Sequence, residues 1–188
     1  MRPVLLHQDG DRTRRMTMTS HETAPDQLQD RRPSRNLKAL VAGTNINNDT
    51  YLATDYLNHF NEIVMLVDMI PDMPEILEEA KAWQPKSYAA HFRDSGLSDS
   101  ALTIEAYENA PAEFRKPFDE TIERMNKVVF KNIENIEAAL NSERPEELAA
   151  TAATATRLLQ RLIDVAAAII HGNTPNMDQS EIDELLAG

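Results

Sequence analysis

The chain has 188 residues, 31 Asp and Glu against 19 Lys and Arg, a formal net charge of −12, and no cysteine. This length suits one domain with a core of its own, accompanied by tails. The lack of cysteine excludes disulfides, thiolate metal sites and cysteine nucleophiles, and it is compatible with a reducing compartment.

Membrane insertion and secretion both lack a signal in the sequence. No apolar run approaches the roughly 18–20 residues that a membrane-spanning helix needs. The apolar stretch at residues 4–6 is far too short for a signal peptide. We therefore expect a cytoplasmic protein.

The charge is unevenly distributed along the chain. Residues 1–40 carry eight Lys and Arg against five Asp and Glu, whereas residues 41–188 carry eleven against twenty-six. A body this acidic repels polyanions, so we expect no binding to nucleic acid or to anionic membranes. A few arginines of the first segment are candidate phosphate contacts, although a solvated charged tail is the simpler interpretation: Arg12, Arg14, Arg15, Arg31, Arg32 and Arg35.

Residues 1–36 have the composition of a disordered arm. They contain Pro3, Pro25 and Pro33 among many polar residues, and no apolar period is sustained. Such a segment cannot bury enough apolar surface to offset the entropy lost on ordering. We predict a disordered arm over 1–36 and a helical bundle over 37–172.

The first helix of the bundle is predicted over residues 50–70. Asn48, Asp49 and Thr50 offer N-cap side chains. Apolar residues then recur every three or four positions, which predicts a mostly buried helix: Leu52, Tyr56, Phe60, Ile63, Val67 and Ile70. Prolines and a glycine divide the following stretch into three shorter helices, over residues 75–83, 87–93 and 98–109.

Two long amphipathic segments decide the fold class. After Pro111 the apolar stripe is Phe114, Phe118, Ile122, Met125, Val129, Ile133, Ile136 and Leu140. After Pro145 it is Leu148, Ala152, Ala155, Leu159, Leu162, Ala166 and Ile169. These periods predict an all-α protein, a helical bundle built on a long antiparallel αα-hairpin. The heptad spacing also leaves open a homodimer through the helical hairpin.

The chain end is predicted to carry a separate short helix. Gly172, Asn173 and Pro175 favour a helix stop, so residues 173–177 are interpreted as a linker and residues 178–188 as an amphipathic partner-binding helix. Met177, Ile182, Leu185 and Leu186 would share one face. This pattern is typical of a peptide that folds into a partner's groove. Packing back onto its own bundle is the alternative.

The segment resembles a known recognition sequence. Residues 178–186, Asp-Gln-Ser-Glu-Ile-Asp-Glu-Leu-Leu, are similar to the segment by which flagellar switch proteins of the FliM family and the chemotaxis phosphatase CheZ bind the response regulator CheY. The matching positions are Gln179, Ile182, Asp183, Leu185 and Leu186. The resemblance implies a CheY-like receiver protein as partner, in chemotaxis or flagellar signalling. A C-terminal position behind a helical hairpin is similar to CheZ.

The resemblance also implies a phosphatase site, from which this sequence departs. CheZ-type phosphatases carry an Asp and a Gln four residues apart, and the Gln amide orients the attacking water. Residues 53–64 loosely resemble that helix but place Asn58 and Glu62 at these two positions. A divergent phosphatase would use Asn58 and Glu62, no cofactor would belong to this chain, and Mg²⁺ would be bound by the partner receiver. The alternative is a polar stripe in a non-enzymatic structural adaptor unrelated to chemotaxis.

Three histidines invite other interpretations. His59, His91 and His171 lie in helical segments, and His59 with Glu62 forms part of a di-iron-like pattern. Such sites need Glu-x-x-His pairs from several helices, so we expect no metal. The residues around His59 also lack the Lys and Gly of a phosphotransfer histidine. Trp83 is interpreted as an aromatic plug between two helices rather than a ligand-binding corner.

Overall fold

The computed structural model describes residues 36–173, so the predicted arm, apart from Asn36, and the segment after Asn173 lie outside the described residues. The described part contains seven α-helices, one 3-10 helix and one isolated β-bridge, which confirms the all-α class. No helix within it is long and apolar enough to span a membrane. In chain order the elements are α1 (Leu37–Val41), the 3-10 helix (Thr54–Leu57), α2 (Asn58–Met69), α3 (Ile76–Ala82), α4 (Tyr88–Asp94), α5 (Ser100–Glu108), α6 (Ala112–Asn141) and α7 (Pro145–Ile170).

The two long helices form the predicted hairpin. Helix α6 has 30 residues and α7 has 26, which at 1.5 Å per residue are about 45 and 39 Å long. All seven predicted stripe positions of α7 are buried, as are six of the eight on α6, and only the outermost pair, Phe114 and Leu140, is half-buried. The apolar period therefore identified the contact faces correctly.

The remaining helices cover one side of this hairpin. Helix α2 packs on α7, and α3 packs on both α2 and α6. Phe60, Ile63 and Ile70 of this layer are fully buried and join the same core as Met125, Ile136 and Leu159 of the hairpin. The short helices begin and end within two residues of the predicted bounds, and α4 is capped by Ser87, whose Oγ accepts the Ala90 N–H.

The predicted start of the helix over residues 50–70 is wrong, because α2 begins at Asn58. The side chain of Asn47 accepts the N–H groups of Asp49 and Thr50, which holds the chain in a loop. Tyr51 has a φ of 60°, a left-handed conformation that cannot continue a helix. The Thr50 hydroxyl donates to the Ile170 carbonyl at 2.7 Å instead of capping a helix.

The end of α7 is closed by the residues that predicted it. Gly172 has a φ of 79°, its N–H donates to the Ile169 carbonyl, and the Asn173 N–H donates to the Ala168 carbonyl. This pair of hydrogen bonds is a Schellman motif, which turns the chain back at a helix C-terminus. The predicted helix stop is confirmed.

Candidate functional site

The tentative catalytic pair lies at the start of α2. Asn58 is the first residue of the helix and Glu62 follows one turn later, so both lie on the same side, and both side chains are exposed. Met65, the next residue on this side, is 64 % exposed. An amide, a carboxylate and an apolar side chain are therefore presented to solvent together. This surface has the composition of a contact face.

His59 points the other way, into the core. Its ring stacks on Trp83 with centroids 4.6 Å apart, and its Nε2 accepts the Lys86 N–H at 3.2 Å. The Trp83 Nε1–H donates to the carbonyl of His59. The two residues thus join α2 to the turn after α3, where Trp83 also meets Phe130 of α6. This confirms the interpretation of Trp83 as a plug between helices.

Burial disfavours the protonated form of His59 and of His91. Burial lowers the pKa of His59, and the neighbouring His91 lowers it further while Glu62 opposes the shift. Burial likewise lowers the pKa of His91, against the raising effect of a hydrogen bond to the Asp55 backbone. The ring centroids are 6.2 Å apart. Neither histidine belongs to a group of three metal-ligating side chains, and none exists among the described residues.

Three tyrosines connect neighbouring elements of the fold through hydrogen bonds and ring contacts. The Tyr88 hydroxyl accepts the Ala53 N–H at 2.8 Å, and the Tyr56 hydroxyl donates to the Lys86 carbonyl at 2.7 Å. Tyr107 donates to Asp119 of α6 at 2.8 Å and stacks on Tyr88. Burial is the largest cause of the raised pKa of all three hydroxyls, so they remain protonated. We assign them to the fold rather than to chemistry.

A groove lies on the uncovered side of the hairpin. Its volume is about 870 Å³, and every residue lining it belongs to α6, α7 or the turn between them. Its apolar or small lining residues include Val128, Ala139, Ala155 and Leu158. No side chain from α1 to α5 contributes to it. Val128, Ala139 and Ala155 are buried, so the surface of the groove is mixed, with Leu158 half-buried among polar side chains, and the rest of the described bundle leaves it uncovered.

The rim of this groove is basic in an otherwise acidic body. Residues 36–173 carry twelve Lys and Arg against twenty-two Asp and Glu. The groove lining reverses this balance, with Arg124, Lys127, Lys131 and Arg144 against Glu147. Arg144 pairs with Glu147, and Lys131 lies 3.3 Å from Glu134, outside the lining. The lining itself thus carries more basic than acidic side chains, which favours an acidic ligand.

Some of these residues were identified from the sequence, and others were missed. Asn58 and Glu62 share one exposed side as the helical period predicts, whereas Gln179, Ile182, Asp183, Leu185 and Leu186 lie outside the described residues. Lys127 and Lys131 were not identified, because isolated lysines on the polar side of a helix look like ordinary solvated charges. Two features of the sequence could have pointed to them: the four-residue spacing of the two lysines and the small-residue stretch in the following helix, α7.

Comparison with known proteins adds no assignment. No family model matches this chain, and neither a curated protein nor a solved structure resembles it significantly.

Proposed function

We propose that this protein regulates a CheY-like receiver domain by binding it through residues 178–186, in chemotaxis or flagellar signalling. The observation that supports this most is the spacing of Gln179, Ile182, Asp183 and the Leu185-Leu186 pair. Ile182 and the leucines would fill an apolar groove on the receiver, while Gln179 and Asp183 would make directional and charge contacts at its rim. A cytoplasmic location belongs to the same proposal.

The end of α7 supports this arrangement physically. The Schellman motif at Gly172 closes α7 before Asn173. Pro175 follows and cannot donate to a helix. A binding segment attached in this way can engage a partner while the bundle stays folded.

Receiver binding is tested by titrating the full chain with phosphorylated and unphosphorylated receiver proteins from the same genome. We expect Leu185→Ala to cost about 1–3 kcal/mol of binding free energy, the scale for removing a buried leucine anchor at an interface. Ala187→Ser, outside the matching positions, is the control and should bind as the wild type does. Equal binding by wild type and Leu185→Ala would contradict the proposal.

An enzymatic variant of the proposal places weak phosphatase activity at Asn58 and Glu62. Both side chains are exposed on α2, where they could meet a docked receiver. The carboxylate of Glu62 can accept a hydrogen bond from water, but its negative charge repels a phosphoryl group. We therefore expect at most slow dephosphorylation of the receiver by the wild-type chain.

The variant Glu62→Gln tests the enzymatic proposal. An amide orients the attacking water without the repulsive charge, so dephosphorylation of the receiver should accelerate by about tenfold or more. The gain should disappear when Asn58→Ala is added. The measurement is the decay of radiolabelled phosphoreceiver. Fast wild-type decay that is insensitive to both residues would place the chemistry elsewhere.

The competing proposal is a non-enzymatic adaptor unrelated to chemotaxis. The exposed side of α2 with Asn58, Glu62 and Met65 favours it, because an exposed methionine beside polar side chains suits contact with a protein partner. Failure of every receiver of the genome to bind the full chain would select the adaptor.

A further inference from the structure

We infer that the groove between α6 and α7 is the docking site of the chain's own residues 178–188. In that position the segment covers the open side of its bundle and is withheld from other partners. The docking itself does not depend on the proposed function, whereas its consequence for receiver binding rests on it.

The groove and the segment have complementary apolar surfaces. Leu158 is half-buried in the groove, which the exposed Ala138 and Ala150 also line, and such small residues let another helix approach closely. The segment carries Ile182, Leu185 and Leu186 on one helical face. A helix of eleven residues is too short to be stable alone, so its apolar face needs a surface to fold on. The groove is such a surface within the same chain.

Their charges are also complementary. Residues 174–188 contain four acids and no Lys or Arg. The lining of the groove carries four basic residues against one acid. In addition, the Nδ2 of Asn132, a lining residue, is buried without a hydrogen-bond partner among the described residues. A carboxylate or amide oxygen of the segment would supply the missing acceptor once this side chain turns toward it.

The length of the intervening chain fits the distance to be spanned. From Ile170 back to Leu158 the rise along α7 is about 18 Å, and residues 173–177 extend to about 17 Å. Asn173 is already turned back beside α7 by its hydrogen bond to Ala168. A helix of residues 178–188, about 16 Å long and antiparallel to α7, would therefore lie along residues 147–158. These are the α7 residues that line the groove.

A second copy of the chain fits this groove less well. If two grooves faced each other, Lys127 and Lys131 of both copies would approach one another, and like charges in close contact oppose association. The acidic segment of the same chain meets no such repulsion. Being tethered, it also has an effective concentration in the millimolar range, so weak intrinsic affinity suffices for docking.

Docking would regulate the proposed receiver binding through competition. A segment docked nine-tenths of the time is free in one molecule in ten, which lowers its apparent affinity for any other partner about tenfold. Receivers would then be bound only when their concentration or phosphorylation state outweighs the intramolecular contact.

The docking is tested in the full chain with one spin label. The sequence has no cysteine, so Ala187→Cys gives a single attachment site near the chain end. We expect the label to broaden the amide NMR signals of Glu147, Ala150 and Thr151, the lining residues nearest to position 187 in the antiparallel arrangement. Adding Lys127→Glu and Lys131→Glu should abolish this broadening.

A matched pair of charge reversals serves as the control. Arg93→Glu with Lys116→Glu changes the net charge equally at exposed residues outside the groove, and should leave the broadening intact. Broadening elsewhere or nowhere would overturn the inference. In a mixture of spin-labelled chain without ¹⁵N and ¹⁵N chain without a spin label, the ¹⁵N signals should not be broadened. Broadening in that mixture would assign the groove to a second copy. Circular dichroism confirms that each variant is folded.

The two proposals fail in distinguishable ways. If the docking and the proposed function both hold, Lys127→Glu with Lys131→Glu should raise receiver affinity about tenfold, as release of a mostly docked segment requires. Spin-label broadening without any receiver binding would leave the docking intact and contradict the proposed function. Receiver binding without broadening would contradict the docking alone.

Discussion

His59 and His91 lie at the junction of α2, the turn after Trp83 and α4, and burial lowers the pKa of both rings. His59 is stacked on Trp83 and accepts the Lys86 N–H, so its ring is an acceptor in the native fold. Protonation would remove that acceptor and place a charge in a mostly apolar environment. The residue that most resembles a catalytic group in this helix thus contributes to packing.

We therefore expect acidification to destabilise the protein before its carboxylates titrate. The pKa of His59 is lowered below its ordinary value of 6.5 in the folded state. Between the folded and unfolded pKa values the unfolded chain binds more protons, so stability is complete above about pH 6.5 and falls as the pH is lowered through that window. Thermal melts at pH 7.5 and 5.5 should show this loss, and His59→Phe should reduce it. The exposed His171→Gln is the control; an equal loss in His59→Phe and wild type would contradict the assignment.

The turn between α6 and α7 contains a second testable residue. Glu143 is exposed and has a φ of 56°, a left-handed conformation that costs a residue with a Cβ about 1–2 kcal/mol. We expect Glu143→Gly to stabilise the protein by about 0.5–1 kcal/mol, since part of the gain is offset by the greater freedom of glycine in the unfolded chain. Glu143→Ala keeps the Cβ and should bring no such gain. Urea denaturation measures both, and a destabilised glycine variant would contradict the argument.

Among the elements, the long helices were predictable and the start of α2 was not. Apolar residues every three or four positions over seven or eight turns admit only one pairing of faces, and Met125, Ile136 and Leu159 are buried as that period requires. Residues near Thr50 have the same apolar period. The local hydrogen bonds to the Asn47 side chain and the hydrogen bond from Thr50 to the Ile170 carbonyl nevertheless hold them in a loop. A side chain that caps a helix in one context closes a loop in another.

A single substitution that introduces a charge tests the buried apolar stripe of α6. Ile133 is 7 % exposed, so Ile133→Asp would bury an unpaired carboxylate at a cost of several kcal/mol, enough to unfold a marginally stable domain. We expect loss of the cooperative thermal melt. Met65→Asp makes a similar change at an exposed position of α2 and should leave the melt nearly unchanged. An unaltered melting temperature for Ile133→Asp would mean that its helix face is wrong.

At the scale of the whole molecule, the hairpin has a covered and an uncovered side. Core periodicity predicted the covered side, because burial is encoded in the spacing of residues such as Leu159 and Ile136. The groove on the other side was not predicted, since Lys127 and Lys131 of α6 and Ala150 and Thr154 of α7 line one groove only after the hairpin closes. Its basic rim stands out only against the acidic body.

The proposed mode of action requires a folded bundle and a separate binding segment. One truncation tests this separation. Removing the residues after Asn173 should abolish receiver binding, because the matching positions are removed with them. The bundle should still melt cooperatively. If the segment is docked nine-tenths of the time, its loss costs only about 1.4 kcal/mol, a few degrees in melting temperature for a chain of this size.

The decisive measurement is receiver binding by the full and truncated chains, with thermal melts of both as the internal control. We predict that the full chain binds, that the truncated chain does not, and that both are folded. Undiminished binding by the truncated chain, or no receiver binding by either chain, would contradict the central claim.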